Sequence, residues 1–153
     1  MANILIVGAN QGIGYYLVER LLELGNTVTV LDVKINTIEM LKEKYQKTVL
    51  PIVADARNFS SIENGVHQAV EHFGNIDIAI HNACLCTFES EQNTGYEVYQ
   101  NVMDVNYFGA LRLTKAVLPY MRNVHRGRII YTSRVLVSLD LQIFLRMLLQ
   151  KEQ

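Results

Sequence analysis

The segment "VGANQGIG" (7–14) sets Gly8, Gly12 and Gly14 at the joint between an apolar run and an amphipathic one. At a strand-to-helix turn these glycines have three separate uses. Gly8 lets the chain turn sharply, Gly12 lets a phosphate come up to the backbone, and Gly14 lets the helix lie close to its sheet. The helix amino terminus then presents its amides and the positive end of its dipole to a pyrophosphate. A plain tight turn explains a glycine triplet by itself equally well; the strand before it and the helix after it favour the phosphate. Asp32 ends the second strand, where a carboxylate can accept both hydroxyls of an adenosine ribose and would repel the extra phosphate of NADP. Its competing reading is a solvated acid in a loop. Gln11 is neutral and offers that phosphate no cation, so both residues favour NAD over NADP.

Such residues need a frame to hold them. "NILIV" (3–7) is a continuous β-branched and leucine run, the pattern of a strand buried on both faces. Ile13, Leu17, Leu21 and Leu24 then recur at helical spacing, and Gly25-Asn26 supplies a stop. The alternation continues with a strand over 27–31, a helix over 37–45, a strand over 49–53, a helix over 60–73 and a strand over 77–80. Ser60 and Glu63 have the spacing of a capping box for the third helix. After a polar loop near 86–95, a long helical region runs to about Arg122, and "RGRIIYTS" (126–133) supplies a fifth strand. Strands separated by helices imply parallel pairing through right-handed crossovers, hence an α/β doubly wound sheet.

Bulk properties narrow the function. The 153 residues fit one domain, and 50% of them are hydrophobic. Fourteen basic and fifteen acidic residues nearly cancel, with no run of like charge, which argues against nucleic acid or an anionic membrane as partner and for a small molecule. "MANILIVGA" is too short and lacks the basic flank of a signal peptide, and no later segment reads as a membrane span, so a cytoplasmic protein is expected. Cys84 and Cys86 lie one residue apart, a spacing that disfavours a local disulfide and completes no zinc site; they are expected to be thiols. His67, His72, His81 and His125 follow no metal-ligand spacing.

Four segments in order carry a family resemblance: the glycine loop, "VADA" after the third strand, "GNIDIAIHNA" through the fourth, and "DVNYFGALRLTKAVLPYMR" in the long helix. Over residues 3–133 the chain resembles the short-chain dehydrogenase/reductase family. The resemblance implies a Rossmann-type sheet of about five strands in the order 3-2-1-4-5, cut short relative to the family. It implies that Asn10, Gln11 and Ile13 join the three glycines and Asp32 around the dinucleotide. Asp55 and Ala56 would hold the adenine, Asn82 and Ala83 would lie under the cofactor, and Asn106 would support a proton relay. An asparagine at 106 has a second reading, in which it bends its helix by bonding a backbone carbonyl. Val7, His81 and Cys84 depart from the family's threonine, asparagine and glycine at those places.

In the family, a tyrosine exchanges the substrate proton, a lysine in a Tyr-x-x-x-Lys pattern lowers its pKa, and a serine orients an alcohol or ketone substrate. The position that should hold the serine is Arg134, and no tyrosine follows Tyr131, so Lys151 has no such partner. Ser133 is one residue early, which turns a strand side chain to the opposite face. Codon degeneracy offers an account. Restoring one lost base within codon 134 permits residues 134–153 to read "SGFGFTGFANISAYAASKGA", with serine, tyrosine and lysine at positions 134, 147 and 151. Met147 and Gln150 constrain that reading most, because each has few codons. The expected organisation is therefore an NAD-binding domain over 1–134 and a foreign tail over 135–153, strand or helix undecided. Exposure of the long helix and the edge strand would favour self-association. Three functions compete: the dinucleotide-binding half of an oxidoreductase impaired in catalysis, a non-catalytic NAD-binding sensor or interaction module, and an enzyme using an atypical acid such as Tyr131 or a residue donated by a second chain.

Overall fold

The computed structural model describes residues 1–86 and 92–133. Five strands, β1 (Asn3–Val7), β2 (Thr27–Asp32), β3 (Val49–Val53), β4 (Ile78–His81) and β5 (Arg128–Tyr131), form one parallel sheet in the order β3-β2-β1-β4-β5. Helices α1 (Gly12–Glu23), α2 (Asn36–Tyr45), α3 (Phe59–Phe73), α4 (Tyr96–Met103) and α5 (Gly109–Asn123) connect them. This is the doubly wound sheet and the strand order expected from the sequence.

The unbroken apolar run of β1 is explained by its central place. Ile4 and Ile6 pack with Val18 and Leu22 of α1 and Ile38 and Leu41 of α2, whereas Leu5 and Val7 pack with Ile62 and Val66 of α3 and Leu113 and Val117 of α5. Both faces of the strand are covered, so every second residue serves a different helical layer. Each side chain so buried contributes about 1.5–3 kcal/mol.

Three local expectations are corrected. In α1 the core-facing stripe is Gly14, Val18 and Leu22, while Ile13 is 79% exposed and Leu24 65%. The apolar residues of the sequence pattern lie on the flank of the stripe, because the narrow contact with the sheet is made through glycine. The third helix is capped by Asn58, whose side chain accepts from the Ser61 amide at 3.1 Å, and not by a box on Ser60 and Glu63. The long helical region is broken at Asp104–Phe108 into a π turn between α4 and α5. Arg134, Lys151 and the strand-or-helix question for 135–153 lie outside the described residues.

At the end of the sheet opposite the glycine loop, Asp77 binds three segments together. Its carboxylate accepts from the Asn3 amide at 2.9 Å, from Asn75 Nδ2 at 2.9 Å and from Arg126 Nη2 at 2.6 Å. Its own amide donates to the Asn3 carbonyl, and its carbonyl accepts from Arg128. Burial works against the charge, yet the Asn3 amide and Arg126 hold the carboxyl below the ordinary carboxylate range. Replacing it strands the Asn3 donor. Asp77→Ala is expected to lower stability by about 1–3 kcal/mol, read as a reduced midpoint in urea denaturation, and an unchanged midpoint would count against this role.

Candidate functional site

The strand order reverses between β1 and β4, and in open α/β sheets the carboxyl ends of strands at such a point leave a crevice. Here a cleft of about 520 Å³ opens there. Its walls come from Gly8, Gln11 and Gly12, from Asp32 and Val33 after β2, from Ala54–Arg57 after β3 and from Asn82–Leu85 after β4, with Val105 of the π turn.

Gly8 and Gly14 are required by close approach. Gly8 has φ +82°, and a Cβ on it would strike the Ala83 backbone. A Cβ on Gly14 would lie 2.6 Å from both the Ala9 Cα and the Gly8 carbonyl oxygen and 2.8 Å from Asn82 Nδ2. Gly12 differs: φ is +59°, but nothing lies within 4 Å of where its Cβ would be. Among the described residues, the space beside Gly12 at the start of α1 is therefore open, and the Gln11 side chain makes no cap hydrogen bond there. Ile13 follows it with its side chain outward.

Asp32 and Asn10 form a second unit. The Asn10 amide donates to Asp32 Oδ2 at 2.9 Å and the Lys34 amide to Oδ1 at 3.1 Å. Each carboxylate oxygen can accept twice, so one lone pair on each remains for a ligand. The buried side chain of Asn10 is committed elsewhere: its Oδ1 accepts from the Thr37 amide at 3.0 Å and its Nδ2 donates to Asn36 Oδ1 at 3.2 Å, which caps α2.

Beyond β3, the Asp55 carboxylate is gripped by Arg57, whose Nη2 donates at 2.7 Å and whose amide donates at 2.9 Å. Arg57, more than burial, decides its state and holds the carboxyl below the usual range. Arg57 is the one cation among the described cleft residues and was not singled out from the sequence. Its position two residues past Asp55 was the available signal. Ala56 lies beside it, its carbonyl accepting from Arg112 at 3.2 Å.

On the far wall, Asn82 Nδ2 donates to the Gly8 carbonyl at 2.6 Å, its amide donates to the Val7 carbonyl at 2.8 Å, and its Oδ1 accepts from Thr132 at 3.2 Å. It joins the ends of β1, β4 and β5 beneath the cleft, next to Ala83. Asn106 makes a two-point contact with one residue, accepting from the Leu85 amide at 2.7 Å and donating to the Leu85 carbonyl at 2.9 Å. The carbonyl it bonds thus belongs to the loop after β4, and the distortion at its own position is the π turn. Tyr131 is turned to α5, its hydroxyl 2.5 Å from Thr114 Oγ1, and does not line the cleft.

Behind the cleft, His81 is only 2% exposed, and its Nε2 has no hydrogen-bond partner. Burial pushes its imidazole below the ordinary histidine value, opposed by a hydrogen bond with the Val105 backbone. Among the described residues, no cluster of histidine, cysteine and carboxylates could hold a metal, and no helix is long and apolar enough to cross a membrane.

A family model described as short chain dehydrogenase matches residues 2–139. An uncharacterized oxidoreductase of Schizosaccharomyces pombe is 38% identical over 89 residues, covering 58% of this chain and 38% of that protein. Oxidoreductase UcpA of Salmonella typhimurium is 34% identical over 134 residues, covering 86% of this chain and 51% of UcpA. Among solved structures, a short-chain type dehydrogenase/reductase from Mycobacterium marinum aligns with a TM-score of 0.80 at 25% identity, covering 86% of this chain and 55% of that one. The chain spans about half the length, or less, of the curated relatives it matches.

The buried imidazole makes stability depend on pH. As pH falls, the unfolded chain takes up a proton on this histidine near 6.5 while the folded chain resists it, so stability is complete above 6.5 and declines below it. Asp55 and Asp77 are held below 3.8, so their contributions are lost only at more acid pH. His81→Asn is expected to flatten the slope of denaturation free energy between about pH 6.5 and 5; an equal slope in both proteins would rule His81 out as its source.

Proposed function

The chain belongs to the short-chain dehydrogenase family, and from that we propose that residues 1–134 bind NAD, in preference to NADP, as the cofactor part of an alcohol or ketone oxidoreductase. The observation that carries this is the pairing, in one cleft, of an open helix terminus at Gly12 with an Asp32 carboxylate that keeps one lone pair free on each oxygen. The pyrophosphate would lie on the amides of Gly12, Ile13 and Gly14, with Gln11 beside it. Asp32 would take the two ribose hydroxyls. Asp55 and Ala56 would border the adenine, and Asn82 and Ala83 would underlie the nicotinamide side. The bound dinucleotide would supply the hydride donor or acceptor. The chain's own part is to bind and orient: Asn10 holds Asp32 to the loop, and Asn106 holds Leu85 in the wall. Arg57 is committed to Asp55, which favours neutralisation of that carboxylate over capture of an extra phosphate.

We propose further that residues 134–153 represent the serine, tyrosine and lysine segment of the enzyme read in a displaced frame. An enzyme without its proton-transferring tyrosine forgoes about 100-fold to 10,000-fold in rate. The exposed Tyr107, Phe108 and Leu111 along the π turn and α5, with Ile130 and Tyr131 on β5, support self-association of the chain.

Calorimetric titration should find NAD binding more tightly than NADP, and Asp32→Ala weakening NAD by about tenfold while sparing NADP. Tighter NADP binding would reverse the preference. In a second experiment, absorbance of the reduced nicotinamide is followed with a panel of alcohols and ketones. The chain as it stands is expected to show no turnover, and insertion of one base in codon 134 to confer it. Turnover by the unaltered chain, or none after restoration, would refute the displaced-frame account.

A further inference from the structure

Cys84 and Cys86 stand on either side of the residue that Asn106 grips. Their spacing disfavours a local disulfide, yet the structure brings the two Sγ atoms to 3.4 Å with both residues exposed. Cys84 lines the cleft and Cys86 does not. Between them, the Leu85 amide and carbonyl are both held by the Asn106 side chain, at 2.7 and 2.9 Å.

A disulfide needs its sulfurs at about 2.05 Å. The ring so closed spans a single intervening residue, and the two peptide groups flanking Leu85 carry the amide and carbonyl that Asn106 binds. The rigid, two-point geometry of a carboxamide cannot follow a rotation of those groups. A closure that turns those peptide groups therefore works against the Asn106 clamp. The other end of the segment is anchored by Ala83, packed against Gly8, and by Asn82, so the movement falls on the cleft wall at 84 and 85.

We propose that Cys84 and Cys86 form a thiol-oxidation site whose closure to an intramolecular disulfide releases Leu85 from Asn106 and reshapes the dinucleotide cleft. The oxidant is a hydroperoxide. One cysteine sulfur attacks it, an S–O bond forms as the O–O bond breaks, and one water or alcohol leaves. The second sulfur then displaces the sulfenic oxygen as water, forming the S–S bond. Two electrons pass from the thiols to the peroxide, and a small dithiol reverses the change. The link to the cleft rests on the dinucleotide reading above; the release of Leu85 does not.

The test treats the full chain with hydrogen peroxide and reads three quantities. Intact mass should fall by two hydrogens without a covalent dimer, the Leu85 amide should lose protection in hydrogen exchange, and NAD affinity should drop by about tenfold or more. Dithiothreitol should restore all three. Cys86→Ser should bind NAD as the reduced chain does and ignore peroxide. A covalent dimer, oxidation without a two-hydrogen loss, or a disulfide that leaves Leu85 protected would overturn the inference. If the reduced chain fails to bind NAD, the cofactor reading fails, while mass and amide exchange still decide the thiol site.

Discussion

Everything in the cleft depends on how closely the first turn of the chain can lie against the end of β4. Gly8 and Gly14 remove the two Cβ atoms that would hold Ala83, Ala9 and Asn82 away, and Asn82 Nδ2 then reaches the Gly8 carbonyl at 2.6 Å. The contact is backbone against backbone, with little side chain left to yield. It has two consequences. The start of α1 is drawn to the carboxyl end of the sheet, where Gln11 and Gly12 line the crevice, and the β4 end is fixed as the opposite wall. A looser joint would bury the helix terminus under its own side chains or move the walls apart.

Polar groups around that joint are used for more than one purpose. Asn10 spends its side chain on the start of α2 and its amide on Asp32, so the second strand's carboxylate, the glycine loop and the second helix form one unit. Asn106 does the same on the other wall, turning a helical irregularity into a support for Leu85. The π turn places Asn106 at the break between α4 and α5, where its side chain reaches the loop after β4. His81 is the member of this group without a second partner: its Nε2 lies near Gly109 and Ala56 and makes no hydrogen bond. That leaves a polar atom desolvated where a hydrogen-bonded one would be stabilising.

The sheet was legible in the sequence because a β1 buried on both faces has to be apolar at every position, and the glycine spacing stated the approach that the structure contains. What misled was amphipathic spacing in α1: Ile13 and Leu24 follow the helical period, but glycine makes the closest contact with the sheet, so the stripe is centred on Gly14, Val18 and Leu22. A capping box is a local pattern, and Asn58 outcompeted it by standing where the chain turns from β3 into α3. The partners of Asn10 and Asn106 were not legible at all, since both lie more than twenty residues away in sequence and follow from the packing of whole elements. Arg57 went unnoticed because its meaning comes from the carboxylate it grips.

Under the proposed function, the same dependence separates binding from reaction. The groups proposed for the dinucleotide sit at the ends of β1, β2, β3 and β4, on the turns leaving them and on the first turn of α1, and Asp32, Asp55 and Asn82 are held there by contacts among residues 1–133. Beyond the end of β5, by contrast, the proton-transferring side chains of the family would have to be delivered, and there the residue types change. Among the described residues, the cleft is built from the ends of strands β1 to β4, and not from the end of β5. Under the proposed function, dinucleotide affinity and turnover would draw on different stretches of sequence, and a change confined to the second would remove the reaction without removing the grip on the cofactor.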